Sequence, residues 1–502
     1  MKRATWFVVV AMSFSCGDTD AEVDASLDAA SEDARGTDAA RDAEVDASAD
    51  AALPDAAIRD SATSDAAVGC APGASSDDGP LRAFPEAEGF GANAEGGRGG
   101  EVIEVTSLDD EGPGTLREAI RGTTPRTIVF RVGGTIATES TLLIDGDYVT
   151  IAGQTAPGGG IQIRNASGGH ATMVIHGSHV IVRHLRIRTG PGGEADTLRV
   201  SGGSSDVIID HCSLSWSVDE LFSTYDSTNN TTVQWTLLAE PLNQSTHGDG
   251  GHSMAMLTGP LTHRFSAHHN VFAHGSERAP RVQAGDYQFV GNLVYDFQRS
   301  GYFGATGNTS NPIRAEFRNN YYRDGVLTIY RRAADLGTSI SLVDGNRREF
   351  PDGVILADRE RRPWQGPGED TEQSHSAIYG GTDDEAVFAE FPPIRAAAAE
   401  DLDDLLLPSV GAAPRDAVDA RVIATFASGT GGFVDDPSEV GGWPTLEAGT
   451  PPADADHDGM PDSFEARFGF DAEDPADGSL DADEDGYTNL EEYLNGTLPL
   501  CL

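Results

Sequence analysis

The chain has almost no lysine. Lys2 is the only one among 502 residues, and 34 Lys and Arg stand against 81 Asp and Glu, a formal net charge of −47. That balance argues against a nucleic-acid partner, because a phosphate backbone needs a basic footprint. Cysteine is nearly as scarce, with only Cys16, Cys70, Cys212 and Cys501. Long apolar runs are missing: Trp6–Met12 is too short to span a bilayer, and no later stretch is long and apolar enough. Asn-Gly hairpin turns between strands are also scarce, which argues against a β-sandwich.

The length allows ~2–4 domains, and the charge marks two of the boundaries. Residues 17–68 hold 15 Asp and Glu against three Arg, and residues 452–498 hold 15 against one. The first of these segments is Ala, Asp, Ser and Thr with almost no aromatics, so it cannot repay its ordering entropy by burial. It is expected to be a disordered acidic spacer. Before it, Lys2 and Arg3 followed by Trp6–Met12 read as an export signal over residues 1–16. Cys16, after Ser13 and Ser15 and before Gly17, resembles a lipoprotein cleavage site. Cys16 is then the candidate membrane anchor, with ordinary secretion as the alternative. A Cys70–Cys501 disulfide tying the ends is the candidate pairing in an oxidising compartment. Cys212 lies in an apolar strand and reads as a buried thiol.

Short β-type runs fill the middle of the chain. They are VIVRHLRIR from Val180, VIIDHCSLS from Val207, TVQWTLLAE from Thr232, SAHHNVFAH from Ser266, FVGNLVYDF from Phe289 and EFRNNYYRD from Glu316. Aligned on Leu185, Cys212, Thr236, Asn270, Asn292 and Asn320 they step by 27, 24, 34, 22 and 28 residues. No fixed helical repeat has so irregular a period. Roughly one short strand per coil, with loops of variable length, predicts an all-β fold of the parallel β-helix type over residues 80–350. Asn270, Asn292 and Asn320 are expected to stack as a ladder. Pro113–Arg121 predicts a short helix with Leu116, Ala119 and Ile120 on one face, covering the open end of the solenoid. Residues 351–450 are expected to pack along it.

The acidic C-terminus, 451–502, is patterned. Asp454, Asp456 and Asp458 stand at positions one, three and five of a twelve-residue loop, with Gly459, Asp462 and Glu465 at six, nine and twelve. Asp481, Asp483, Asp485, Gly486, Asn489 and Glu492 repeat the pattern. This spacing predicts a small EF-hand-like module that binds Ca²⁺ through both loops. A solvated acidic tail accounts for the composition but not for the spacing. Similar loops occur in dockerins, so docking to a partner is the lesser alternative.

Several motifs occur together and in order: AFPEAEGFGANAEGGRGG from Ala83, VTSLDDEGPGTLREAI, TIAGQTAPGGGI, IIDHCSLSWSVDE, HHNVFAH with RAPR, RDAVDARVI from Arg415, and GGWP from Gly441. Through them residues 83–500 resemble bacterial pectate lyases of polysaccharide lyase family one. The resemblance implies a right-handed parallel β-helix. It also implies a monomeric, extracellular enzyme that cleaves the polygalacturonate of pectin by Ca²⁺-dependent β-elimination.

Residue by residue, the resemblance makes Arg278 the base that takes the C5 proton and Arg281 the grip on a substrate carboxylate. The bland reading is that both arginines pair with surface carboxylates. Glu194, Asp196 and Asp219 match family Ca²⁺ ligands, and a further family acid, four residues before Asp219, is here Ser215. Glu220 is expected to point to the opposite face from Asp219 if the segment stays extended. Asp210 and His211 are read as supports under the site. The family loop HxKGxH matches His247–His252, which places His247 and His252 beside the substrate and Asp249 where the lysine stands. Asp249 is then an extra Ca²⁺ ligand, a sign of another substrate, or a cause of weak activity. A transition-metal site of His247, His252, His268 and His269 follows no known short signature. A non-catalytic polyuronate-binding protein, or a lyase for another uronate polymer, is the rival reading.

Overall fold

A computed structural model describes residues 79–500 except 284, 299, 301, 304–312, 324–330, 333–339, 350–354 and 358–384. The export signal, Cys16, the spacer, the Cys70–Cys501 pairing and part of the 351–450 extension lie outside the described residues.

Three sheets of ten, eight and ten strands wind through residues 101–357 among the described residues. Every pairing is parallel except that of Arg347–Glu349 with Ile355–Ala357. Each coil therefore has three strands, not the single strand expected. The alignable runs hold two of them. Val180–Arg183 lies in the first sheet and Leu185–Arg188 in the third, with His184 at the corner. The remaining strands, such as Leu198–Val200 and Arg281–Val282, are two to five residues long and form the second sheet. The sheet order is consistent with right-handed winding.

The corner is a backbone device. His184, His211, Trp235, His269 and Asn319 all have φ between 47° and 55°, the left-handed region in which one residue turns the chain sharply. The next residue in each coil points into the core, and there the ladder forms. The Oδ1 of Asn292 accepts from both the backbone N–H and the amide of Asn270 (3.0 Å each). Asn320 serves Asn292 in the same way (2.9 and 3.1 Å). Asn346, not anticipated, serves Asn320 (2.8 Å each). Each amide thus satisfies a backbone N–H that the corner frees from the ladder of strands. Cys212 occupies an earlier rung and is fully buried, which pushes its thiol up to about 12.

Helix Leu116–Ile120 is capped by the Thr115 side chain and packs Leu116, Ala119 and Ile120 against Val105, Leu142 and Ile144, covering the core as expected. The segment from Ala83 lies over the first sheet so closely that a Cβ on Gly91 or Gly97 would sit 2.3 or 2.1 Å from a backbone carbonyl oxygen of Val207 or Arg126. Those glycines make the close approach possible. Helices Leu402–Ser409 and Ala417–Ser428 bury Leu402, Leu406, Val422 and Phe426 on the third sheet. Arg188 holds the second of these helices through Asp416 (2.6 Å) and Asp419 (2.8 Å), which gives the RDAVDARVI motif a packing role.

The acidic C-terminus is joined to the solenoid in one compact unit, residues 71–502. Each twelve-residue loop runs into a helix, Asp462–Phe468 or Asn489–Asn495, with no helix leading into the first loop. These helices lie against the start of the solenoid. Arg98 grips Glu491 (2.9 Å), Arg183 reaches Asn495 (2.8 Å), and Arg131 bridges Glu104 (3.2 Å) and Asp454 (3.5 Å). No described helix is long and apolar enough to cross a membrane.

Candidate active site

The second sheet stacks the chemistry. Asp196 stands two residues before strand Leu198–Val200, Glu220 begins strand Glu220–Thr224, and Arg278 stands three residues before Arg281–Val282. Leu198 pairs with Phe222, so Asp196 and Glu220 fall on one row across neighbouring coils. One oxygen each from Asp196, Asp219 and Glu220 lie within 4.8 Å of one another.

The expectation for Glu220 is corrected. Strand alternation does not carry across residues 219 and 220, because the chain bends there. Val218 and Asp219 both donate their backbone N–H to the carbonyl of Ala195 (3.1 Å), and the strand starts only at Glu220. Both carboxylates therefore face Arg278. Its Nη1 bonds Glu220 and lies 3.8 Å from Asp219. Arg278 is buried and held at φ 63°, a conformation costly for a residue with a side chain and common at functional sites. Arg281 begins its strand three residues on and is also buried.

The charges are balanced locally. Asp196 is fully buried and accepts from Arg199 (2.7 Å), from Ser223 (2.5 Å) and from the N–H of Glu220 (3.2 Å). Burial raises its carboxyl above the ordinary value, against the pull of Arg199. Burial works the same way on Asp219, yet the bond from His252 and the charge of Arg278 hold it below the usual range. His252 Nε2 lies 3.0 Å from Asp219, and the His247 ring stacks on His252 with centroids 3.6 Å apart. His247 and His252 thus reach the acidic cluster. Asp249 does not: its side chain is 54% exposed at the tip of the turn. Glu194 is exposed and accepts from the Gly248 N–H (3.0 Å), so it braces this loop. Ser215 shares a register row with Arg188 and Ala239, on the face covered by Asp416 and Asp419, away from Asp219.

The four histidines do not converge. His268 and His269 lie with Glu88 at the corner between the first and third sheets. Asp210 and His211, expected as supports under the site, lie at the corner between the first and third sheets, where Asp210 ends strand Ser205–Asp210 beside the stacked rings of His184, His211 and Trp235 and faces Arg183, Gln234 and His211 (2.8, 2.8 and 2.9 Å). Burial would raise its carboxyl, but His211 and Arg183 hold it well below the carboxylate range.

At the C-terminus, Asp454, Asp456 and Asp458 offer oxygens within 4.8 Å of one another. Asp456, Asp458, Glu465 and Glu492 carry buried oxygens with no hydrogen-bond partner. Burial, and then neighbouring aspartates, push Asp458 and Glu465 up to about 7 and Glu492 up to about 8. Hard oxygen donors crowded so closely suit a divalent cation. Asp462 and Asn489 accept the N–H of Ala455 (2.8 Å) and Ala482 (3.2 Å), closing the loops. Asp481, Asp483 and Asp485 line the second loop, where Asp481 accepts from Gly486 (2.8 Å). Sequence reasoning missed Asp477. It lies between the loops, keeps an unpartnered buried oxygen, and its charge bears on Asp458 and Glu465. No spacing rule points to it.

Known proteins bear directly on this geometry. No family model matches the chain. A probable pectate lyase C from Aspergillus terreus is 35% identical over 432 residues, 84% of this chain and 94% of that protein. Its counterpart from Aspergillus fumigatus is 34% identical over 431 residues, with the same coverage of both chains. These relatives are fungal, so the bacterial part of the expected resemblance is not supported. A solved Bacillus subtilis pectate lyase covers 68% of this chain and 100% of its own at 14% identity and a TM-score of 0.44, too loose to add to the sequence match. On the strength of the fungal relatives, the chain belongs to the pectate lyase family and is a polysaccharide lyase.

Proposed function

We propose that the chain is a Ca²⁺-dependent pectate lyase cleaving polygalacturonate by β-elimination, with loss of the C5 proton and expulsion of the O4 substituent. The observation that carries this reading is Arg278, buried and aimed at a cluster of carboxylates on one row of the solenoid. Asp196 and Asp219 would hold the cation. When bound, Ca²⁺ neutralises the substrate carboxylate and stabilises the enolate-like charge that develops as C5 loses its proton.

Arg278 takes that proton, and for this its guanidinium must be deprotonated, which dense positive charge favours. Arg281 binds a uronate carboxylate in fork geometry. His247 and His252, fixed by Asp219, border the substrate. The two C-terminal loops bind Ca²⁺ structurally. The enzyme acts outside the cell as a monomer, secreted or anchored through Cys16.

Asp249 favours a second reading within the same chemistry. An exposed carboxylate where the family resemblance places a lysine repels galacturonate, so a methylated or otherwise less charged uronate polymer is the competing substrate. The test is the ultraviolet absorbance of unsaturated product from polygalacturonate and from methylated pectin, with Ca²⁺ and with chelator. Calcium-dependent product from polygalacturonate is expected. Product from methylated pectin alone would favour the second reading, and product undiminished by chelator would remove the calcium requirement.

A further inference from the structure

Glu220 has no role in the reading above, and its surroundings call for one. It is fully buried; one carboxylate oxygen bonds Arg278 and the other has no hydrogen-bond partner. Such an oxygen loses its hydration without replacement, which is unfavourable until something takes the place of water. Its carboxylate also faces those of Asp196 and Asp219 within 4.8 Å. Three carboxylates gathered so closely repel one another unless cations intervene. Arg199 contacts Asp196, Arg278 contacts Asp219 and Glu220, and His252 contacts Asp219. The position four residues before Asp219 supplies no carboxylate, since Ser215 lies on another sheet and faces away.

We propose that Glu220 is the third carboxylate for a divalent cation held by Asp196 and Asp219, and that it exchanges between Arg278 and that cation. The proposal rests on the calcium reading of this site. Glu220 stands between the two, with one oxygen on Arg278 and the other turned into the acidic cluster. Transfer of Glu220 to the cation takes the nearest carboxylate away from the Arg278 Nη1. Cation binding and release of that contact are then one event.

The test is calcium titration calorimetry on the full chain after chelator treatment, with the C-terminal loops intact as an internal count. Wild type, Asp196→Asn and Glu220→Gln are compared, their folding checked by thermal unfolding. Asp196→Asn and Glu220→Gln are each expected to lose one calcium equivalent, or to weaken it more than tenfold, while the other equivalents stay unchanged. Loss in Asp196→Asn with full binding in Glu220→Gln would overturn the proposal and leave Glu220 as a partner of Arg278 only. Loss in neither would show that the calcium reading of this site fails, and the proposal with it. A second pair of variants covers a fold defect in Glu220→Gln. Arg278→Gln is expected to tighten the same equivalent several-fold, because it removes the competitor for Glu220, and the tightening should vanish in the Arg278→Gln, Glu220→Gln double variant. Equal tightening in both backgrounds would be simple relief of repulsion and would overturn the exchange.

Discussion

Two groups of acids in this molecule solve the same problem differently. On the second sheet, Asp196, Asp219 and Glu220 are buried beside Arg199, His252 and Arg278. In the C-terminal loops, Asp454, Asp456, Asp458 and Glu465 crowd together, and among the described residues Arg131 is the arginine paired with them, 3.5 Å from Asp454. The first group carries its counter-charges within the fold, so its site is formed before any ligand arrives. The second group has fewer, and burial with mutual repulsion raises its carboxyls toward the neutral form, an arrangement that an external cation would relieve. On the proposed reading, one set of acids serves reaction and the other assembly.

The sharpest way to separate the two is to remove one cation from the first. Arg278→Ala is expected to lower lyase activity ~10²–10⁴-fold, the usual worth of a positioned base, while the part of the calcium-induced rise in unfolding temperature that the loops contribute is retained. A variant that lost both would show that the two systems are coupled. Chelation tests the second group. At calcium hundred- to thousand-fold above Kd, each loop contributes ~3–4 kcal/mol, so chelator should lower the unfolding temperature markedly, and Glu465→Gln should remove about half of that response.

The loops also set an unusual pH dependence. Glu465 and Glu492 in the metal-free fold titrate near 7 and 8, above their ordinary 4.5. The native state then binds more protons than the unfolded one across that interval. Their stabilising contribution is complete below about 4.5 and is lost as pH rises through 7 to 8. Denaturation in chelator should therefore show stability falling from pH 5 to 8, and excess calcium, which competes with those protons, should reverse the slope. Unchanged slopes would mean that these carboxylates stay hydrated. Arg98→Ala should have the smallest effect, ~1 kcal/mol from a half-shielded pair, measured as a lower denaturant midpoint with activity retained.

Much of this was legible in the sequence where a pattern repeats. The corner residues and the asparagine rungs could be aligned because every coil must turn at the same place, and the twelve-residue loops because ligand geometry fixes their spacing. The second sheet was hidden. Its strands are two to five residues long and separated by insertions of variable length, so no period survives. Glu220 was misplaced because a bend at Asp219 interrupts the alternation, and a bend leaves no hydrophobic signature. Asp477 meets the first loop through space rather than by a spacing rule, and the contacts of Arg98, Arg131 and Arg183 with the C-terminus join residues hundreds of positions apart, which no local pattern encodes. Glu194 also accepts from the Gly248 N–H, a contact that no spacing rule shows.

The docking of the last helix on the first coils has a consequence for how the protein is made. Synthesis delivers the early strands long before residues 489–495, which reach back to Arg98, Gln154 and Arg183. A nascent solenoid therefore waits with one flank bare until residues 489–495 have been made. If the loops order only on meeting calcium, that flank is sealed where calcium is abundant. Maturation is then timed by the delivery of this segment and the ionic surroundings together, and fraying from the front of the solenoid is prevented by a segment made long after it.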